Sequence, residues 1–345
     1  MAIRVLVIDD SASARAIIKE MLALDSEIEV VGSAPDAYVA RDKILELRPD
    51  VLCLDVEMPR MDGITFLKKL MIYHPMPVVM VSSLTREGAK TTLEALASGA
   101  VDFVAKNHTH LYENEEQMAR DLIAKVKQAA RVRLFARKEP KRAFFDSSLP
   151  ETTKKIIAIG ASTGGTQALQ GILGAMPPNC PGIVIVQHMP SGFTRAFAKR
   201  LDSLCEIEVR EARSGDFVEI GTALIANGAY HMAIRRSGHR YFVELGEGEK
   251  VTGHKPSVDV LFNSVAEYAG ANALGIILTG MGADGARGMR QMRQAGARTI
   301  AQSEESCVVF GMPKVAIELG GVEEVVPLEA IPLRALEMIE EMSQR

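Results

Sequence analysis

Lys155-Ile156-Ile157-Ala158-Ile159-Gly160-Ala161-Ser162-Thr163-Gly164-Gly165-Thr166-Gln167-Ala168-Leu169 reads as a strand, a tight corner and the start of a helix. The Ile-rich run is long enough for one buried strand. Ala168, Leu169, Ile172, Leu173 and Met176 then recur with helical spacing. Ser162 sits in the corner, within a Gly-x-Ser-x-Gly pattern. Glycines on either side let the backbone turn without Cβ clashes, so the hydroxyl is lifted out at the end of the strand. The free N–H groups of the helix start favour a developing oxyanion there. The same corner also reads as a phosphate-cradling or packing turn. Ser162 occupies the middle glycine of a dinucleotide fingerprint, which weakens that alternative. The choice rests on whether the rest of the chain supplies a base.

Length and composition bound the answer. The 345 residues suggest two domains at the usual size of about 150 residues. Hydrophobic residues make up 47% and charged residues 24%, as in an ordinary globular protein. A net charge of −4 does not mark a nucleic-acid binder. No apolar run approaches the ~18 residues of a membrane span, so no membrane insertion is expected. Asp9 and Asp10 follow the first apolar run directly, which argues against a signal peptide. Cys53, Cys180, Cys205 and Cys307 lie far apart and lack paired metal spacing, so a reduced cytoplasmic protein is expected.

Through the first half, the apolar runs Ile3–Ile8, Ile28–Val31, Val51–Leu54, Val78–Val81 and Val101–Val104 alternate with helical patterns. Five such units predict a doubly wound parallel sheet, with its chemistry beyond the carboxyl ends of the strands. Those ends carry Asp9 and Asp10, Asp55, Ser82 and Lys106. Carboxylates gathered at one edge repel one another unless a cation sits among them, and hard oxygen ligands suit Mg²⁺. Residues 126–152 read as a basic linker. From Arg131 to Lys155 there are eight Lys or Arg against three Asp or Glu, and Pro140 and Pro150 stop helices.

In the second half, the runs Ile156–Ile159, Ile183–Val186 and Ala273–Leu278 each end in a polar or glycine-rich corner. Gly221 to Leu245 alternates with period two and reads as antiparallel hairpins inserted into a parallel α/β domain. His188 follows the second run and Asp284 the third. Ser162, His188 and Asp284 thus each follow a separate strand of one sheet and can meet at one edge. His188 would take the Ser162 proton, and Asp284 would orient the imidazole and stabilise imidazolium. Capping roles for His188 and Asp284 are the alternatives. His231, His239 and His254 compete for the base. None directly follows an apolar parallel-type strand, so His231 and His239 are expected to be dispensable. The order Ser, His, Asp differs from that of the α/β-hydrolases, so only the site geometry is shared with them.

Two resemblances cover the chain. Residues 1–125 resemble the response-regulator receiver family through Val7-Ile8-Asp9-Asp10, Leu54-Asp55-Val56-Glu57-Met58-Pro59-Arg60-Met61-Asp62-Gly63, Ser82 and Lys106. The resemblance implies a flavodoxin-like fold and phosphorylation of Asp55 by a histidine kinase. It also implies Mg²⁺ held by Asp10, Asp55 and the Glu57 carbonyl, with Asp9 acting through water. Ser82 and Phe103 match the switch positions. The proline usual after the lysine is replaced by Asn107, and a cis bond before a non-proline costs ~3 kcal/mol, so a trans loop is expected. Residues 153–345 resemble the catalytic domain of chemotaxis protein-glutamate methylesterases. That resemblance rests on Ile159-Gly160-Ala161-Ser162-Thr163-Gly164-Gly165, Val186-Gln187-His188-Met189-Pro190, His254-Lys255-Pro256-Ser257-Val258-Asp259 and Leu278-Thr279-Gly280-Met281-Gly282-Ala283-Asp284-Gly285. It implies a Rossmann-like domain with Ser162 as nucleophile, His188 as base and Asp284 as orienting acid. Thr163 and Met281 lie at the site, with the Met281 N–H as oxyanion donor. The expected substrates are glutamate methyl esters and glutamines of chemoreceptors, and the expected state is a monomer. The unphosphorylated receiver is expected to cover the edge of the catalytic cleft. Only Mg²⁺ is implied as a cofactor. Two other readings stay open: a phosphorylation-switched binding module with a spent hydrolase domain, and nucleotide binding at Gly160–Gly165.

Overall fold

The computed structural model describes residues 2–83, 86–106, 113–132 and 155–344. The chain divides into two compact units, Met1–Ala136 and Arg137–Arg345. The expected basic linker with Pro140 and Pro150 falls mostly outside the described residues, as does the Lys106–Asn107 bond.

The first unit alternates β1 (Ile3–Ile8), α1 (Ala12–Leu22), β2 (Ile28–Ala34), α2 (Ala37–Leu47), β3 (Val51–Asp55), α3 (Gly63–Tyr73), β4 (Val78–Ser83), α4 (Arg86–Ala97), β5 (Asp102–Lys106) and α5 (Glu113–Ala129). Its sheet is parallel in the order β2-β1-β3-β4-β5. β3 is buried on both faces, as its unbroken apolar run requires. The α5 helix runs to Ala129, past residue 125 and into the segment read as linker.

The second unit begins with β6 (Ile156–Ala161), α6 (Gly165–Leu173), β7 (Gly182–Gln187) and α7 (Phe193–Asp202). Then come β8 (Glu208–Glu211), β9 (Thr222–Ile225), β10 (His231–Ser237) and β11 (Arg240–Gly246). It closes with α8 (Val258–Tyr268), β12 (Ala273–Ile277), α9 (Ala286–Gln294), β13 (Arg298–Gln302), α10 (Met312–Glu318), β14 (Glu324–Val326) and α11 (Ile331–Ser343). Seven strands form one sheet in the order β14-β13-β12-β6-β7-β9-β8. Every pairing in it is parallel. The strand order reverses around β6, the topological switch point where such sheets open a crevice.

The period-two reading of Gly221 to Leu245 is corrected at its start. Thr222–Ile225 is a parallel strand of the main sheet, and all four of its residues are buried. β10 and β11 form an antiparallel pair, closed at Ser237 and Arg240, and Phe217 makes an antiparallel bridge to Phe242 of β11. That hairpin packs on α8, where the Ile234 N–H donates to Ser264 Oγ at 2.9 Å. Among the described residues, no helix is long and apolar enough to cross a membrane.

The α8 helix crosses the switch point with little clearance. A Cβ on Gly160 would lie 2.2 Å from Val258 Cγ1 and 3.2 Å from Phe262 Cζ. Both partners are fully buried. Gly160→Ala is therefore expected to destabilise the protein by about 1–3 kcal/mol through overpacking. Urea unfolding checks this.

Candidate active site and phosphoacceptor site

The carboxyl edge of the seven-stranded sheet gathers the three expected residues. Ser162 directly follows β6, and its N–H donates to Thr279 O at 3.0 Å. His188 directly follows the neighbouring β7, and its N–H donates to Ala161 O at 3.0 Å. The Gln187 side chain ties the two corners together. Its Nε2 donates to Ser162 O at 3.0 Å and to His188 O at 3.2 Å. The helix after Ser162 starts from Gly164 with φ 79°, where L side chains are strained. A Cβ there would also meet Val308 Cβ at 2.6 Å.

Asp284 lies in the corner after β12, on the other side of β6, and is fully buried. Four donors converge on its carboxylate. Ser257 Oγ and the Asp259 N–H donate to Oδ1 at 2.7 and 3.0 Å. The Val258 N–H and His188 Nε2 donate to Oδ2, both at 2.7 Å. Three of these donors form the first turn of α8, so the carboxylate sits where a helix N-terminus favours negative charge. Burial pushes the Asp284 carboxyl up, but the His188 bond and charge and the Ser257 and Asp259 bonds outweigh it and hold it below the usual range. With three other donors on the carboxylate, His188 Nε2 is the donor to Oδ2. His188 Nδ1 is buried and has no hydrogen-bond partner among the described residues. The His254 ring stacks on the His188 ring at 3.8 Å between centroids and 8° between planes.

The supporting residues surround this set. Thr163 is buried, and its carbonyl accepts the Thr279 hydroxyl at 3.0 Å. Gly280 approaches the serine so closely that a Cβ on it would lie 2.6 Å from Ser162 Cβ. Met281, the next residue, is 44% exposed at this edge. Sequence reasoning missed Ser257 and the first N–H groups of α8 as partners of Asp284. The available signal was Ser257 as an N-cap before an apolar helix: its Oγ also accepts the Val260 N–H at 3.4 Å. Asp259, one turn-residue further on, makes the reciprocal contact, accepting the Gly288 N–H of α9 at 2.7 Å. Of the competing histidines, His231 is buried in this same network and His239 lies at the tip of the β10–β11 hairpin.

The first unit gathers carboxylates in the same topological place. Asp9, Asp10 and Asp55 each bring an oxygen within 4.8 Å of the others, a donor set of the kind a hard cation takes. Lys106 Nζ lies 2.7 Å from Asp9 Oδ2 and 2.9 Å from Asp55 Oδ1. Burial pushes the Asp55 carboxyl up; Lys106 pulls it down and Asp9 pushes it further, with a net rise. Glu57 is exposed just beyond β3. Ser82 is buried at the end of β4, with its Oγ 2.7 Å from Thr92 Oγ1 of α4. Phe103 is buried, with Lys125 Nζ 5.1 Å from its ring centre.

Fold and site together define a class: a receiver domain joined in one chain to an α/β domain that carries serine, histidine and aspartate at the carboxyl edge of its sheet. Residues 157–335 match the CheB methylesterase family and residues 5–113 the response regulator receiver domain. The chain is 56% identical over 350 residues to a protein-glutamate methylesterase/protein-glutamine glutaminase of Sulfurimonas denitrificans, covering 99% of both chains. It is 54% identical over 342 residues to a protein of the same name, numbered 2, from Syntrophus aciditrophicus, covering 98% of this chain and 99% of that one. Among solved structures, the CheB methylesterase catalytic domain of Thermotoga maritima matches with a TM-score of 0.52 and 41% identity. That match covers 53% of this chain and 98% of that domain. The chain belongs to the CheB methylesterase family.

The Asp284 geometry has a consequence for stability. Its folded pKa lies below the unfolded value of about 3.9, so its contribution is present above that pH and is lost as pH falls through the folded value. The urea midpoint of Asp284→Asn should fall well below wild type at pH 7, and the gap should narrow below about pH 4.

Proposed function

We propose that the chain is a phosphorylation-regulated carboxylic ester hydrolase that removes methyl groups from glutamate methyl esters of chemoreceptors. The observation that carries this reading is the buried, fully bonded Asp284 carboxylate holding His188 Nε2, beside the Ser162 corner. With Nε2 committed to Asp284, His188 Nδ1 takes the Ser162 proton as Oγ attacks the ester carbonyl. The tetrahedral oxyanion is met by the Met281 N–H and the start of α6, with Thr163 lining the site. His188 then returns the proton to the leaving methoxide, methanol departs, and Ser162 is left acylated. Water, deprotonated by the same nitrogen, releases the glutamate carboxylate and restores the serine. A glutamine side-chain amide passes through the same intermediate with ammonia as leaving group, so the enzyme also deamidates.

Control comes from the receiver. Asp55 accepts a phosphoryl group from the phosphohistidine of a kinase as the phosphorus–nitrogen bond breaks. Asp10, Asp55 and the Glu57 carbonyl would hold Mg²⁺, with Asp9 acting through water; the ion supplies positive charge to the phosphoryl oxygens. Lys106 adds a second positive charge against the same oxygens. Ser82 and Phe103 respond to the new charge, and the modification acts by favouring one arrangement of the chain over another. The protein acts in the cytoplasm as a monomer, without a cofactor for the ester reaction. The domains divide as 1–125 receiver, 126–152 linker and 153–345 catalytic.

Ser162→Ala should fold normally and lose methanol release from methylated receptor membranes by a factor on the order of 10⁶. Wild-type methanol release by that variant would mean that Ser162 is not the nucleophile. Asp55→Asn should keep basal methanol release and lose its stimulation by a small-molecule phosphodonor. A variant that is still stimulated would place the phosphoacceptor elsewhere.

A further inference from the structure

Asp284 is held chiefly by α8, so whatever fixes the entry to α8 bears on the base. Ser257 makes that entry. It is fully buried, and its hydroxyl donates to Asp284 Oδ1 at 2.7 Å. Its backbone N–H points the other way and donates to His231 Nδ1 at 3.2 Å. The opposite edge of the His231 ring, Nε2, lies 2.9 Å from Glu249 O. A carbonyl can only accept and an N–H can only donate, so His231 is a neutral imidazole with its proton on Nε2. His231 is the first residue of β10, sits opposite Gly246 of β11 and is 8% exposed. A Cβ on Gly248 would lie 3.3 Å from its ring. The ring is therefore held from both sides, and a chain of direct bonds runs from Glu249 through His231, Ser257 and Asp284 to His188.

We propose that His231 is a positioning residue for the hydrolysis: by accepting the Ser257 N–H, it holds the first turn of α8 so that its donors stay aimed at Asp284. The proposal rests on the ester-hydrolase reading above and extends it to a histidine expected from sequence to be dispensable. It also gives the β10–β11 hairpin a part in the reaction. Without the acceptor on His231, the buried Ser257 N–H must find another partner, and the simplest way is to shift the turn that carries the Ser257 hydroxyl and the Val258 and Asp259 N–H groups. The carboxylate, and with it the orientation of His188, follows that shift. Substrate contacts are untouched, so the loss falls on kcat and spares KM.

The test compares two polar variants of the full chain. His231→Asn keeps an acceptor near the Nδ1 position. His231→Gln reaches the Nε2 position and can donate to Glu249 O, but offers Ser257 nothing. Methanol release from methylated receptor membranes is measured per active molecule, with the active fraction counted by labelling with a fluorophosphonate. His231→Gln should lower kcat roughly tenfold with KM within about twofold, and His231→Asn should recover to within about threefold of wild type. In a Ser257→Ala background, where the hydroxyl link is gone but the Val258 and Asp259 N–H links remain, His231→Gln should cost less than it does in the wild-type chain. That double variant also decides the matter if His231→Gln alone is poorly folded. Wild-type kcat in His231→Gln, equal losses in both single variants, a change confined to KM, or full additivity with Ser257→Ala would each overturn the proposal. If the wild-type chain itself releases no methanol, the hydrolase reading fails, which is a separate result from a wild-type chain that works and a His231→Gln that works as well.

Discussion

A fully buried carboxylate charge is too costly to leave unmet, and Asp284 is met by four donors, three of them from the start of α8. Much of the second unit is arranged around that requirement. The α8 helix must cross the switch point closely enough to present Ser257, Val258 and Asp259 to the corner after β12, which is why Gly160 beneath it has no room for a Cβ. The hairpin of β10 and β11 packs on the outer side of α8 and binds it through Ser264. The contact is also reciprocal. Asp259, in the first turn of α8, accepts from Gly288 in the first turn of α9, so each helix start is neutralised by a carboxylate from the other's corner. Burial pushes the Asp259 carboxyl up while Gly288 draws it down and Asp284 pushes it further, with a net rise.

This arrangement also fixes the His188 ring. His188 Nε2 is committed to Asp284, and Nδ1 is buried with no hydrogen-bond partner among the described residues. The ring is further held by the stacked His254. Gln187 binds the carbonyls of Ser162 and His188 with one amide group, so the two corners are registered to each other through the backbone. The first unit solves an opposite problem with the same topology. There the carboxylates of Asp9 and Asp55 converge, and Lys106 lies between them, within 3 Å of each. One sheet edge surrounds a carboxylate with donors; the other gathers three carboxylates around a lysine.

The sequence by itself determined the two parallel sheets and the corners that carry the chemistry. Apolar runs buried on both faces are unambiguous, and glycine-rich corners directly after them mark strand ends. Asp9, Asp10, Asp55, Lys106, Ser162, His188 and Asp284 could all be read from that local pattern. Thr222–Ile225 was misread because a four-residue run carries no periodicity of its own and borrowed that of the hairpin after it. What lay beyond local pattern was every contact made at a distance in the chain. Ser257 lies 27 residues from Asp284, and His231 26 residues from Ser257. No spacing rule links them, because they meet only once α8 has packed across the sheet and the hairpin across α8. Ser257 reads locally as an N-cap and His231 as a polar residue opening a strand. Only the tertiary structure turns the first into a donor to Asp284 and the second into its support, because hydrogen-bond partners are chosen by which buried groups packing leaves facing each other.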